Sequence, residues 1–378
     1  MRKYKAGILP SGFEANGVSC GLKKSGKPDL ALIFSEKPAE AACVFTTNSI
    51  QAAPVILSKA NLKKNKNFQA IIINSGNANC LNGKAGLKDA LETIQALSGA
   101  LGLKKENILV SSTGIIGRKL AVDKIKSGIP GLIKGLSSNG IAKAAKAIMT
   151  TDTFAKEFTV KFNLGSKVIT ICGIAKGAGM IAPNMATLLS FILTDANITK
   201  AALNKALKVV VSNSFNSITV DGCMSTNDSV MLLANGKAAN ALISGGKDLD
   251  LFTDALSLVC LELAKMIVRD AEGATKFIKI NVKSARDRKI ALAIALNIAN
   301  SNLFKTAVYG ENPNFGRIAS AAGAAGSGVK EEDLKIKVSS LKKKDIDVLV
   351  TLNQGKADVV VYTSDLTPEY IKINAEYN

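Results

Sequence analysis

A layered α/β fold, with sheets covered by helices, is what three observations on this 378-residue chain predict. Apolar residues make up 47% of it and run along its whole length, a globular composition rather than a disordered or fibrous one. Strand-like and helix-like apolar patterns alternate from end to end, as they do where helices pack on sheets. The length exceeds what one hydrophobic core usually serves, so two linked lobes or one large layered body are expected.

Residues 68–73, with Phe68, Ile71, Ile72 and Ile73, and residues 107–110 read as buried strands. Between them Leu87, Leu91, Ile94 and Leu97 recur at helical spacing. Ile141, Ala144, Ala145 and Ile148 form a second stripe that ends near Thr150-Thr151-Asp152. Val160 and Phe162, then Val168 through Ile171, suggest a hairpin. In the second half, Leu203, Leu207 and Val210 mark one helix, and Phe252, Leu256, Val259, Leu263 and Ile267 a longer one. Residues 277–283 put Ile278, Ile280 and Val282 on one face and Lys279, Asn281 and Lys283 on the other, a half-exposed strand. Val359 and Val361 repeat that pattern. The small-residue stretch Ala319 to Gly328 reads either as a loop or as a close-packing surface, and its glycines favour the loop.

Composition prunes the chemistry. There is no histidine, which removes Ser-His-Asp and Cys-His mechanisms and His-ligated zinc. An enzyme with this sequence needs a carboxylate, a lysine, a metal-bound water or a terminal amine as its base. Six cysteines (Cys20, Cys43, Cys80, Cys172, Cys223, Cys260) lie far apart with no C-x-x-C pair, so neither a zinc site nor a disulfide framework is expected. Most should be small buried residues in a reducing compartment. The formal charge is +19, yet the lysines are scattered and aromatics are only 5%, so stacking platforms for nucleic acid are scarce and a lysine-rich surface is the simpler reading. No apolar run of 18 residues suggests a membrane span, and the first residues lack the pattern of a secretory signal. A cytoplasmic protein, with no nucleic-acid or membrane partner, is expected.

The most informative stretch runs from Gly173 to Phe191. Three glycines in seven residues (Gly173, Gly177, Gly179) and Pro183 call for an unusual backbone path, and the apolar run from Leu188 reads as a strand entering a core. Thr187 stands where the loop meets the strand, suited to attack on its own preceding carbonyl. Cleavage there would free an α-amine of pKa about 8, and a threonine with its own amine as base needs no histidine. A glycine-rich turn feeding an ordinary strand is the plainer alternative.

The segment Lys176-Gly-Ala-Gly-Met-Ile-Ala-Pro-Asn-Met-Ala-Thr187 resembles the self-cleavage motif of the ornithine acetyltransferase family, the bifunctional glutamate N-acetyltransferase/amino-acid acetyltransferase family of arginine biosynthesis. Val44–Asn48, Asn74–Asn79, Ser112–Gly117 and Met149–Thr153 are similar to its early signatures. Val220-Asp221-Gly222, Ser225–Asp228, Arg269–Lys276 and Ile373–Tyr377 follow in family order.

The resemblance implies a self-cleaving, N-terminal-nucleophile type of enzyme, cut between Ala186 and Thr187 into intertwined chains 1–186 and 187–378, two copies of each. It implies Thr187 as the acetyl-carrying nucleophile, Thr113 and Gly114 as the oxyanion hole, and Thr150, Lys176, Glu272 and Asn374, with Thr187, as contacts to the amino acid. Residues 1–186 would hold the oxyanion-hole residues and two of the substrate contacts, and 187–378 would open with the nucleophile. The implied reaction moves an acetyl group from N2-acetylornithine to glutamate, with no metal or organic cofactor. The sequence leaves open acetyl-CoA as a second donor. These residue types fit: lysine pairs with a carboxylate, glutamate meets an ammonium, and asparagine both donates and accepts.

Two departures are visible. Asn312-Pro313-Asn314-Phe315-Gly316-Arg317 stands where the family usually has Asp-Pro-Asn-Trp-Gly-Arg, and the chain stops at Asn378, short of a hydroxyl residue that touches substrate in the family. Two rivals stay in view: a self-processing aminopeptidase or amidohydrolase of related architecture, and a non-enzymatic basic binding protein.

Overall fold

The structure, a computed structural model, describes residues 1–182, 188–326 and 328–376. They form two compact units. The first comprises Met1–Gly177, Asn184–Phe215 and Met224–Leu263, the second Ala178–Pro183, Asn216–Cys223 and Ala264–Asn378.

The first unit is built on a nine-stranded sheet. Its strands are β1 (Arg2–Tyr4), β2 (Phe13–Val18), β3 (Leu30–Phe45), β4 (Phe68–Asn77), β5 (Ile108–Ile115), β6 (Lys156–Leu164), β7 (Lys167–Lys176), β8 (Leu189–Thr194) and β9 (Ser229–Ala234). The order is β1-β6-β7-β8-β9-β3-β4-β5, with β2 also on β3. Strand β3 joins two halves of the sheet: Leu30–Phe34 pairs with β4, the register shifts, and Glu40–Phe45 pairs with β9. The β4–β5 and β8–β9 pairs are parallel.

Both faces of the β3–β4–β5 wing are apolar, as expected of strands buried on two sides. One face, with Ile33, Ile71 and Leu109, shares a core with Ile174, Phe191 and Leu233 of the other wing. The opposite face, with Leu32, Ile72 and Val110, is covered by helices α2 (Gly83–Leu101) and α3 (Val122–Lys134) through Ile94, Leu97 and Ile129. Each fully buried side chain of this size stabilises by roughly 1.5–3 kcal/mol over an exposed one. The predicted helix is present and its Ile94 and Leu97 are buried, but Leu91 is only half-buried and Leu87 turns outward (37% exposed), as does Val168 at the start of β7 (55%).

The second unit has one four-stranded sheet of β10 (Phe277–Ala285), β11 (Lys335–Val338), β12 (Asp345–Thr351) and β13 (Ala357–Ser364), in the order β11-β12-β10-β13. Ile278, Ile280 and Val282 face a core with Ile294 and Ile298, confirming the alternation of 277–283 and the strand expected at Val359 and Val361. The covering helices are Arg288–Ala299, Asn302–Tyr309 and Phe315–Gly323. The last of these corrects the loop expected over Ala319 to Gly328. Its first five residues continue the helix, and Ala321 and Ala322 are buried, because alanine is the best helix former and a small side chain lets neighbours close in. All six cysteines are free. Cys80, Cys172 and Cys260 are buried, Cys20 and Cys43 half-buried and Cys223 exposed, so only three match the expected small core residue in full.

Candidate active site

Thr113 and Gly114 sit where β4 and β5 end. The parallel register pairs Ser75 with Thr113 and Gly76 with Gly114, then breaks at Asn77. Gly114 has φ +128°, and a Cβ there would lie 2.4 Å from the carbonyl carbon of Gly76. Such backbone at such proximity admits only glycine. Around this bend the asparagine-rich motif holds itself together: Asn74 Nδ2 donates to the Asn77 carbonyl (2.9 Å), and Asn77 Nδ2 donates to the carbonyls of Arg118 and Lys119 (3.1 Å each). Asn227 ties a second motif to it, its amide donating to the carbonyls of Ala78 (2.6 Å) and Ser112 (2.8 Å).

Lys176 ends β7, buried at 3% exposure, and its Nζ donates to Thr113 Oγ1 at 3.2 Å. Having accepted from the ammonium, the Thr113 hydroxyl keeps its proton to donate. A hydroxyl oriented this way, backed by a positive charge, is what a developing oxyanion requires.

Behind the pair lies a buried ionic cluster. Asp152 Oδ1 accepts from Lys156 Nζ (2.6 Å) and from the Gly177 amide (2.7 Å), and Oδ2 accepts from the Thr150 amide (2.9 Å). The sheet dictates this meeting: Lys156 opens β6 opposite Ala175, the penultimate residue of β7, so residues just before β6 and just after β7 are neighbours. Burial alone would raise the Asp152 carboxyl. The ammoniums of Lys176 and Lys156, with the Gly177 amide, outweigh it and hold the group below the usual carboxylate range. Lys23, half-buried, is pushed down to about 8 by burial, with Asp29 opposing and Lys176 adding to the fall.

Asp228, the residue before β9, reaches across to the start of β8. Its Oδ1 accepts from the Leu188 amide at 2.9 Å, and its Oδ2 is buried with no hydrogen-bond partner among the described residues. Burial lifts this carboxyl well above its ordinary value, against the pull of the Leu188 amide, the Lys176 charge and Ser225. Leu189 stands directly across from Lys176 in the β7–β8 register, so the chain that leaves the sheet after Lys176 re-enters it at the neighbouring position.

In the second unit, Glu272 and Asn374 meet. Asn374 Nδ2 donates to Glu272 Oε2 at 2.9 Å. The contact is set by helix α10 (Pro368–Ala375), which follows the three sheet-covering helices, α7 (Arg288–Ala299), α8 (Asn302–Tyr309) and α9 (Phe315–Gly323). Thr367 caps α10 by accepting from the Tyr370 amide (3.2 Å), and Pro368 sits in the first turn, where its missing N–H costs nothing. The Thr367 hydroxyl also donates to the carbonyl of Gly273 at 2.7 Å, tying the helix start beside Glu272. Gly179 is packed on the same carboxylate: a Cβ there would fall 2.2 Å from Glu272 Oε2.

Of the residues singled out by sequence, Thr113, Gly114, Lys176 and Thr150 are joined through Lys176 and Asp152 in one unit, and Glu272 and Asn374 pair in the other. Ala186 and Thr187 lie outside the described residues. Nothing in the sequence singles out Lys156, and Asp152 and Asp228 stand in it only as parts of the motifs Met149–Thr153 and Ser225–Asp228. Asp152 and Lys156 are four residues apart, a spacing that a surface pair shares, and only the β6–β7 register buries them.

On a layered α/β scaffold, a lysine-backed threonine hydroxyl beside a forced strand-end glycine is an arrangement able to stabilise a developing oxyanion, which is what an acyl-transfer class of enzyme needs. The chain belongs to the ArgJ family, whose model matches residues 14–378. It is 45% identical over 394 aligned positions to the arginine biosynthesis bifunctional protein ArgJ of Caldanaerobacter subterraneus subsp. tengcongensis, covering 98% of this chain and 97% of that protein. The protein of the same name from Oceanobacillus iheyensis is 42% identical, over 97% of this chain and 95% of its own length. Among solved structures, ornithine acetyltransferase from Mycobacterium tuberculosis, complexed with ornithine, is 38% identical with a TM-score of 0.45, covering 48% of this chain and 97% of that one.

Proposed function

We propose that this chain moves an acetyl group from N2-acetylornithine to glutamate through an acetyl ester on Thr187, after cutting itself between Ala186 and Thr187. One observation carries the reading: Lys176 donates to Thr113 Oγ1 at the strand position facing Leu189, while Asp228 grips the amide of Leu188, the residue after Thr187. Family membership favours this transferase over a hydrolysing aminopeptidase.

In the first step the Thr187 hydroxyl oxygen bonds to the carbonyl carbon of Ala186, the C–N bond breaks, and the nitrogen takes the hydroxyl proton. Water then hydrolyses the ester, leaving chains 1–186 and 187–378. In the cycle, the freed α-amine takes the proton of the adjacent hydroxyl while the oxygen attacks the acetyl carbon of N2-acetylornithine. The oxyanion meets the Thr113 hydroxyl and the Gly114 amide. The C–N bond breaks and ornithine leaves with the proton held by the α-amine. The glutamate amine then attacks the ester carbon, the C–O bond to Thr187 breaks, and the α-amine passes the proton from the attacking nitrogen to the Thr187 oxygen, giving N-acetylglutamate and the free threonine. Thr150 and Lys176 serve the carboxylate side of the amino acid, and Glu272 with Asn374 its ammonium. Beyond the water used in self-cleavage, every proton and leaving group of the cycle is handled by this chain and its two substrates. The processed enzyme would work in the cytoplasm with two copies of each chain. No helix among the described residues is long and apolar enough to cross a membrane.

The test is turnover with N2-acetylornithine, with and without glutamate. A transferase releases ornithine in a single burst until glutamate is added; sustained release in water alone would convert the assignment to a hydrolase. Within the same reading, Thr113→Val should lower kcat by roughly 100- to 1000-fold, about 2.7–4 kcal/mol, with a smaller change in KM. The rate of acetyl-enzyme formation followed by mass measures this, and an unaltered rate would remove Thr113 from the oxyanion hole.

A further inference from the structure

Helix α10 and the segment around Asp221 enclose a cavity of about 280 Å³, lined in part by Asn300, Asn302, Lys305, Leu366 and Tyr370. Lys305 is an unusual wall. It is only 3% exposed, yet its ammonium donates to one acceptor among the described residues, the carbonyl of Val220. Three N–H groups on a buried cation call for more than that. The nearby carboxylate of Asp221 does not supply it, because its oxygens are taken by the amides of Met180 (2.6 Å), Ile181 (2.9 Å) and Cys223 (3.1 Å) and by the Tyr370 hydroxyl (3.2 Å). Asp365 is likewise engaged by Thr275 and by the amide of Lys276.

We propose that this cavity binds a small monocarboxylate, its oxygens on the Lys305 ammonium and its apolar end against Val220 and Leu366. A single charge suits the site, since one cation flanked by Asp221 and Asp365 would repel a dianion such as phosphate. The size suits it too. At about 30 Å³ per water of liquid, the space corresponds to roughly nine waters, room for a short-chain acid. Burial pushes the Lys305 ammonium down to about 8, with Asp221 and Asp365 opposing the fall, so it is charged at neutral pH. This site is independent of the acetyl-transfer reading, since none of its walls is a residue given a role there.

Propionate is the probe, with its neutral isostere propionamide and inorganic phosphate as comparisons, followed by ligand-observed NMR on the full chain at constant ionic strength and pH 7. Saturable propionate binding is expected, with both propionamide and phosphate at least tenfold weaker. Lys305→Met should remove the charge and weaken propionate at least tenfold. Leu366→Phe fills the cavity and should do the same, and it decides the matter if the lysine variant does not fold. Absent saturation, equal binding of propionamide or phosphate, or propionate binding unchanged in a folded variant would each overturn the proposal, whatever the acetyl-transfer assay shows.

Discussion

Replacing Thr187 by alanine is expected to leave a continuous 378-residue chain and to reduce acetyl transfer by at least about 10⁴-fold. The two losses have one cause. The hydroxyl is the only proposed attacker of the Ala186 carbonyl, and after cleavage the same oxygen carries the acetyl group. Thr187→Ser keeps an oxygen there, so it should still be processed and should still turn over. Intact mass and N-terminal sequencing read the first effect, and ornithine release read against glutamate concentration the second. In the processed wild type, the rate should rise with pH through about 8, as an α-amine gives up its proton. With no histidine in the chain, the imidazole titration that gives many enzymes a base at about pH 6.5 is absent. Efficient transfer by an uncut Thr187→Ala chain would end the mechanism.

Much of this protein could be read from its sequence because its physics is local. Ile278, Ile280 and Val282 alternate because one sheet face is buried, and Ile94 and Leu97 are apolar because α2 lies on the sheet. Leu188 to Phe191 looked like a strand entering a core, and β8 is buried at every residue. What stayed hidden depends on register. Nothing in the order of residues says that β3 would run 16 residues and serve both halves of one sheet, since its apolar run is also consistent with two shorter strands. Gly114 is one glycine among 31 until Gly76 is placed against it. Lys176 and Thr113 are 63 residues apart, and their contact exists only because β5 and β7 end near each other. The helix over Ala319 to Gly323 is not legible in the sequence because small residues serve loops and close-packed helices alike, and burial against α7 decides between them.

The Asp152 cluster yields the second large effect. Asp152→Ala should destabilise folding by roughly 3–5 kcal/mol, the usual consequence of breaking a buried ion pair from one side. The side chains of Asp152 and Lys156 are both fully buried, so solvent cannot take over the abandoned ammonium, and Lys176 loses a counter-charge as well. The double variant Asp152→Ala with Lys156→Met should recover part of the loss, because no unpaired charge is then left by the pair. Asp152→Asn supplies the pH test. Its folded carboxyl titrates below the unfolded value of about 3.9, so its stabilisation is complete above that pH and disappears as pH falls through the folded value. The stability gap between wild type and Asp152→Asn, from urea unfolding, should therefore be wide at pH 6 and narrow steadily below pH 4. Asp228 works in the opposite sense. Its folded carboxyl titrates above the unfolded value, so it favours the fold at low pH and its contribution declines as pH rises from about 4. Asp228→Asn should remove that decline while keeping an acceptor for the Leu188 amide. Two buried acids around one lysine thus give opposite pH slopes, and a gap for Asp152→Asn that does not vary with pH would show that the carboxylate is not held ionised by Lys176 and Lys156.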